Sequence, residues 1–306
     1  MIKRILVPLD GSALAEAALP AAAALSQKLG AAVTLIHVIE QHPPRSVHGQ
    51  RHLSSPEEAK AYMAEVAALY FPAGAEVEAH VHTDETADVA RGLAGHEAEM
   101  SFDLMVMCSH GPLDATRMLF GSIAQRIVSA GSTPVLILRP ARLPDRRAAP
   151  PPSPGFPCRT ILVPVDEQLE HLQALETAAE LAAGCGAALH LLMAVPTYGT
   201  LPGRNRQTGR LLPAATARAL EISAEGAAEL LEQQRTRLAR QGLEVRAELA
   251  RGEPASCILR AAGRMQVDLV VMGTHGSAGL KAFWEGSVAN RVSARSRVPL
   301  LLVPIP

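Results

Sequence analysis

The chain has 306 residues and a formal net charge of −1, a length that fits two domains at roughly 150 residues each. Hydrophobic residues make up 48 %, charged residues 19 % and aromatics 3 %, so Ala, Val, Leu and Ile must fill large interiors. The balanced charge lacks the basic footprint of a nucleic-acid binder and does not favour an anionic membrane surface.

Met1-Ile-Lys-Arg-Ile-Leu-Val-Pro-Leu-Asp10 reaches a carboxylate too soon for a secretory signal. Within it, Ile5–Leu9 is a short apolar run of the kind that forms a buried parallel strand. A helix follows, capped by Ser12, kinked by Pro20 and stopped at Gly30. Its stretch Ala13–Leu25 is interrupted by Glu16 and Pro20 and is too short to span a bilayer. Ala32–Ile39 reads as a second strand, and Ser55-Pro-Glu-Glu58 as a capping-box helix start. Val77–His82, Leu104–Cys108 and Val135–Leu138 complete five strands, with a helix opening near Gly121-Ser122. Ala141 to Pro157 is rich in proline, which fixes φ and removes donors, and reads as a semi-rigid linker. The pattern then returns: strands at Ile161–Val165, Ala188–Val195, Val245–Ala250, Leu269–Gly273 and Leu300–Val303, with a longer second helix over Ala214–Gln241.

The return is a duplication. Arg4-Ile-Leu-Val-Pro-Leu-Asp10 matches Arg159-Thr-Ile-Leu-Val-Pro-Val-Asp166. Phe102-Asp-Leu-Met-Val-Met-Cys108 matches Val267-Asp-Leu-Val-Val-Met-Gly273. Gly121-Ser-Ile-Ala-Gln-Arg matches Gly286-Ser-Val-Ala-Asn-Arg, and Thr133-Pro-Val-Leu matches Val298-Pro-Leu-Leu. Four blocks in one order divide the chain into copy one (1–140), a linker (141–157) and copy two (158–306). Alternating short strands and helices make each copy an α/β domain with a doubly wound, five-stranded parallel sheet. The apolar fifth strands are edges that pairing would cover, so the copies are expected to pack as a pseudo-twofold pair.

In such sheets ligands sit beyond the carboxyl ends of the strands, where the strand order reverses. In copy two those ends are Asp166, Val195 and Gly273. Thr-His-Gly276 follows, then nine residues, then Gly286-Ser287 at a helix start. Glycines let phosphate oxygens approach backbone N–H groups, and a helix N-terminus adds free donors and positive dipole. Ser287 could add a hydroxyl or help hold a metal riding on the phosphates. Asp166 could accept from ribose hydroxyls, and Val195 could read an adenine edge through its backbone.

Gly273-x2-Gly276-x9-Gly286-Ser287 resembles the ATP-binding signature of the universal stress protein family, and the strand openings and endings of both copies resemble that family's first and last strands. The resemblance covers nearly the whole chain apart from the linker. It implies an adenine-nucleotide α-hydrolase-like fold and ATP, with or without Mg2+, as ligand. It also implies pairing at the fifth strand, within one chain or between chains of a homodimer. By the same motif, Pro164, Val165 and Asp166 line the adenosine and Val195 meets adenine. Met272 and Gly273 flank the ribose. Gly276, Gly286, Ser287, Val288 and Ala289 surround the phosphates. The matching positions in copy one are Pro8, Leu9, Asp10, Val38, Met107, Cys108, Gly111, Gly121, Ser122, Ile123 and Ala124. Copy one departs from the signature at Cys108, where the first glycine is wanted. Copy two departs at Asp166-Glu-Gln168, where copy one keeps Asp10-Gly-Ser12. The phosphate loop is the more demanding part, so copy two is the expected site and copy one a degenerate second one. If the first-glycine position also required φ > 0, Cys108 would carry a cost of about 1–2 kcal/mol.

The remaining candidates read as structural. His37, His42, His48 and His52 cluster in sequence, and His80 and His82 share a strand face, but no cysteine is regularly spaced with them and no metal site is expected. Cys108 reads as a small apolar side chain rather than a redox sensor. His110 and His275 shape loops, and Arg117 and Lys281 lie in the nine-residue loops as phosphate neighbours or solvated cations. None of the four cysteines forms a C-x-x-C pair, which fits a reducing cytoplasm. The function expected is an ATP-binding regulatory stress-response protein. A slow ATPase and a scaffold that binds no nucleotide stay open beside it.

Overall fold

The computed structural model of the protein describes residues 1–41, 46–47, 50–51, 53–86, 89–109, 122–140, 156–166, 172–201, 207, 211–275 and 287–305. Copy one runs β1 (Arg4–Pro8), α1 (Ala13–Glu16), α2 (Leu19–Leu29), β2 (Ala32–Glu40), the short hairpin β3 (Ser46–Val47) and β4 (Gln50–Arg51), α3 (Pro56–Tyr70), β5 (Val77–Thr86), α4 (Val89–Met100), β6 (Leu104–Cys108), α5 (Ser122–Ala130) and β7 (Val135–Leu138). Copy two runs β8 (Thr160–Val165), α6 (Leu172–Cys185), β9 (Ala188–Val195), a 3-10 turn (Tyr198–Thr200), α7 (Pro213–Arg240), β10 (Val245–Arg251), α8 (Pro254–Met265), β11 (Leu269–His275), α9 (Val288–Arg295) and β12 (Leu300–Ile305). Of the expected linker, residues 141–155 lie outside the described residues.

Local chemistry explains the element ends. Gly30 stops α2 in the left-handed conformation at φ 62°, which a Cβ would resist. Ser55 accepts the N–H of Glu58 at 3.2 Å and starts α3. Pro20 corrects the expected single kinked helix. The first helix instead ends at Glu16, and Pro20 lies in the first turn of a separate α2, where its missing N–H costs nothing.

Ten strands form one sheet in the order β10-β9-β8-β11-β12-β7-β6-β1-β2-β5. Each half is a parallel five-stranded sheet, and the halves join at one antiparallel pair, Leu300↔Ile137, Leu301↔Leu136 and Leu302↔Val135. The fifth strands are therefore central, and all ten of their residues are buried. Two apolar layers cover the two faces, and each runs unbroken through both copies. The outer strand β10 carries alternating charge in Val245-Arg-Ala-Glu-Leu-Ala-Arg251 and is partly exposed, which discourages further strand addition.

The repeated aspartate of the Phe102-Asp and Val267-Asp blocks has a structural role. Asp103 accepts the N–H groups of Lys3 and Arg4 at 2.7 and 3.0 Å. Asp268 accepts those of Arg159 and Thr160 at 2.9 and 3.0 Å. Each carboxylate thus pins the first strand of its copy beside the fourth, the pair between which the strand order reverses.

Beyond the seam, α2 and α6 pack across the copies so closely that a Cβ on Gly184 would stand 2.2 Å from Leu29 Cδ2. The Met1 amino group pairs with Glu180 at 2.8 Å, and the Ile2 N–H also donates to Glu180. Arg139 leaves β7 and donates to the carbonyls of Ser296 (2.8 Å) and Ser293 at the C-terminal end of α9. A cation from copy one thereby satisfies the last carbonyls of a helix in copy two.

A protease cut introduced within 141–157, for example at Arg146-Arg147, should leave the halves associated. Co-elution of the nicked halves at micromolar concentration on a sizing column is expected. Their separation would show that the seam does not hold them.

Candidate nucleotide site

From β8 the chain of copy two moves outward to β9 and β10, then crosses back to β11 on the other side of β8. The register Leu269↔Ile161 and Val270↔Leu162 places β8 and β11 side by side. Among the described residues no pairing joins the two strands beyond Val270↔Leu162, and Pro164, Val165 and Asp166 on one strand stand across the reversal from Met272 and Gly273 on the other, where such sheets open a crevice. Val165 and Met272 are buried, Pro164 and Gly273 half-buried and Asp166 exposed. The apolar floor is thus closed and the polar end faces solvent.

Gly273 lies in mid-strand, paired with Val303. It is not among the positive-φ glycines, so the position asks for no left-handed backbone. This removes the conformational penalty considered for Cys108, and the difference between the copies there reduces to the side chain itself. Val195 is buried at the end of β9, but its carbonyl already accepts the Gly252 N–H at 2.9 Å. Gly252, at φ 141°, folds the chain back onto that strand end, so the expected adenine contact keeps less of the Val195 backbone than the sequence implied.

Ser287 is the N-cap of α9, and its Oγ accepts the Asn290 N–H at 3.1 Å. An accepting hydroxyl keeps its own proton to donate, so capping and anion binding are compatible roles. Val288 is half-buried and Ala289 buried at the start of the same helix. Arg291, one turn on, pairs at 2.9 Å with Glu253. Glu253 caps α8 by accepting from Ala255 and Ser256, each at 2.9 Å. Sequence reasoning missed this tie between the two helices. The Glu253-Pro254 pair is a cap signal, but nothing in the sequence marks Arg291 as its partner. Gly276 and Gly286 lie outside the described residues, as does Lys281.

Copy one has the same plan with a different surface. Pro8 ends β1 and Leu9 and Asp10 follow it, Met107 and Cys108 end β6, and Val38 is buried on β2. Asp10 accepts the Ser12 N–H at 2.9 Å, and Ser12 in turn caps α1 through Ala15. Leu53 closes over this turn: a Cβ on Gly11 would stand 2.9 Å from Leu53 Cγ. The Leu53 carbonyl lies 3.2 Å from His37 Nε2, while His37 Nδ1 lies 2.7 Å from the Leu9 carbonyl. His37 is therefore a buried tie between two loops. Burial pushes the Cys108 thiol up to about 12, which leaves it neutral and a poor redox centre. Ala124 is buried on α5, whose backbone begins at Ser122 and Ile123. Gly111 and Gly121 lie outside the described residues, with His110, Arg117, His42, His48 and His52. Among the described residues no three His, Cys, Asp or Glu side chains are grouped to hold a metal ion, and no helix is long and apolar enough to cross a membrane.

Two segments, residues 1–139 and 157–304, match the family model described as Universal stress protein family. The chain belongs to the universal stress protein family. Among curated universal stress proteins, YxiE of Bacillus subtilis (strain 168) is 39 % identical over 83 residues, 27 % of this chain and 55 % of that protein. MJ0531 of Methanocaldococcus jannaschii is 35 % identical over 86 residues, 28 % of this chain and 51 % of that protein. The chain thus spans about half the length of the curated relatives it matches. A universal stress protein from Archaeoglobus fulgidus shares the fold over 99 % of this chain and 96 % of its own, with a TM-score of 0.62 at 18 % identity.

Ser287→Ala should destabilise the protein by about 0.5–2 kcal/mol through loss of the cap. Ser287→Asp, itself a good cap, should restore most of that. Urea unfolding of both variants checks this, and equal midpoints for Ser287→Ala and the parent would show that the cap contributes nothing.

Proposed function

We propose that this universal stress protein is an ATP-binding, regulatory stress-response protein of the cytoplasm that holds its nucleotide chiefly in copy two. The observation that carries the reading is that β8 and β11 lie side by side at the strand-order reversal, with Gly273, a position without a side chain, late in β11, and that α9, the next helix in the chain, opens on a Ser287 cap. Adenosine would lie along Pro164, Val165, Asp166, Val195, Met272 and Gly273. The triphosphate, alone or with Mg2+, would take Gly276, Gly286, Ser287, Val288 and Ala289. Arg139 supports the assignment from the other end of α9. It offsets the negative end of the helix, so the positive end can face an anion.

Copy one is the weaker site in this reading. Cys108 stands where copy two has no side chain, and Leu53 covers the turn at Gly11. Regulation is favoured over turnover because Asp166 is the one ionisable side chain among the proposed contacts, and it lies at the adenosine end rather than at the phosphates. The four free cysteines suit the cytoplasm.

Calorimetric titration of the full chain with ATP tests the proposal. One high-affinity site is expected. Gly276→Val should abolish it, because a branched Cβ would stand where phosphate oxygens need bare backbone. Ser287→Asp keeps the cap but places a carboxylate against the phosphates, and should weaken binding tenfold or more. Unchanged affinity in both variants would place the nucleotide elsewhere.

A further inference from the structure

Copy two opens with a thiol that meets another. Cys158 is fully buried on the approach to β8, where its N–H closes on the Phe156 carbonyl at 2.8 Å. Cys185 is the last residue of α6 and is half-buried. Gly186, at φ 65°, turns the chain from there into β9. Thr160 is in register with Ala188, and the Ala188 N–H donates to the Arg159 carbonyl at 2.8 Å. The two segments therefore run side by side at strand spacing, about 4.8 Å. The thiols are in hydrogen-bonding contact across that gap.

A third group comes from the other copy. Lys28 sits in the last turn of α2, and its ammonium acts on both sulfurs. It is brought there by the packing of Leu29 against Gly184, one residue before Cys185. The three groups divide the chemistry. The hydrogen bond from Cys158, aided by Lys28, holds Cys185 below the ordinary thiol range against the opposing effect of burial. Cys158 is held well above that range by the same hydrogen bond, by burial and by the charge of Cys185. Cys185 is thus the more readily ionised sulfur of the two and Cys158 the one held as a thiol.

We propose that Cys158 and Cys185 form an oxidisable dithiol at the junction of the two copies, which hydroperoxides convert to a disulfide and to which copy one contributes Lys28. The Cys185 thiolate attacks the outer oxygen of ROOH. An S–O bond forms, the O–O bond breaks, and the alkoxide leaves as ROH after taking up a proton. Cys185 is then a sulfenic acid. Cys158 loses its proton and attacks the Cys185 sulfur, so that the S–S bond forms, the S–O bond breaks and hydroxide leaves as water. Two thiols and ROOH thus give a disulfide, ROH and water. Bond formation brings the sulfurs to about 2.05 Å, and a small-molecule thiol reverses the step by exchange. The bond would tie the exit of the linker to the C-terminus of α6, beside the α2–α6 contact. The other two cysteines are placed differently. Cys108 is held neutral by burial, and Cys257 lies buried at 3.3 Å from Arg260 Nη2.

The test treats the full chain with one equivalent of hydrogen peroxide, blocks remaining thiols and maps peptides by mass spectrometry. A Cys158–Cys185 cross-linked peptide is expected, with Cys108 and Cys257 still alkylated. Cys158→Ser should stop the reaction at a Cys185 sulfenic acid that dimedone traps. Lys28 is exposed, so Lys28→Ala should fold. It should slow iodoacetamide labelling of Cys185 at neutral pH several-fold and move its pH–rate midpoint up, with Lys28→Arg restoring both. Cross-links that form only between chains or through Cys108 or Cys257 would overturn the proposal, as would a Cys185 no more reactive than Cys257. Equal labelling of Cys185 in parent and Lys28→Ala would overturn the part assigned to copy one.

Discussion

Everything else in this chain depends on the antiparallel pairing of β7 with β12. A parallel five-stranded sheet that ends in Val-Leu-Ile-Leu or Leu-Leu-Leu-Val-Pro-Ile carries an apolar edge with unpaired backbone groups, which in water invites aggregation. Joining the two edges removes both at once. It also turns two modest cores into two layers that run through ten strands. Parallel strands within each half and one antiparallel join between halves is the arrangement a twofold relation between copies requires. The charged outer strand β10 is left at the periphery, where partial exposure is tolerable.

The seam also breaks the equivalence of the copies. Arg139 follows β7 and reaches the end of α9, whereas the residue that follows Val303 in copy two is Pro304, which has no donor to return. Copy one thus supports the helix whose other end carries Ser287. Lys28, on the neighbouring α2–α6 contact, is a second case of copy one charging a position in copy two. Duplication followed by this division leaves copy two with Gly273, without a side chain, late in β11. Copy one keeps Cys108 and the Leu53–His37 closure.

Much of this could be read in the sequence, because buried parallel strands announce themselves as short apolar runs and the duplication offers each run twice. All ten strands of the main sheet were expected, and their ends differ by a few residues. Capping and pairing extend a strand without an apolar signal, as in β5 through Thr86 and β12 through Ile305. A proline in a helical pattern is compatible with a kink or a fresh start, so the pattern around Pro20 does not separate the two. In the structure the first helix ends at Glu16, which is buried and accepts from the Tyr62 hydroxyl at 3.0 Å. At the site, the strand-end residues were legible from position alone. The engagement of the Val195 carbonyl was not, since it depends on a backbone turn at Gly252 fifty-odd residues away. The Cys158–Cys185 pair was invisible for the same reason. No C-x-x-C spacing marks it, and only the β8–β9 register brings the two together.

The proposed consequence of fusing two like domains through one sheet is that they have come to differ, with nucleotide held chiefly in the second. Photo-crosslinking of the full chain with 8-azido-ATP tests this most directly, because the azide sits on the adenine and reports which strand ends surround it. The account predicts label on peptides of copy two that carry Val195 or Met272-Gly273, removed by excess ATP. Equal label on the copy-one peptides that carry Leu9-Asp10, Val38 or Met107-Cys108 would contradict it.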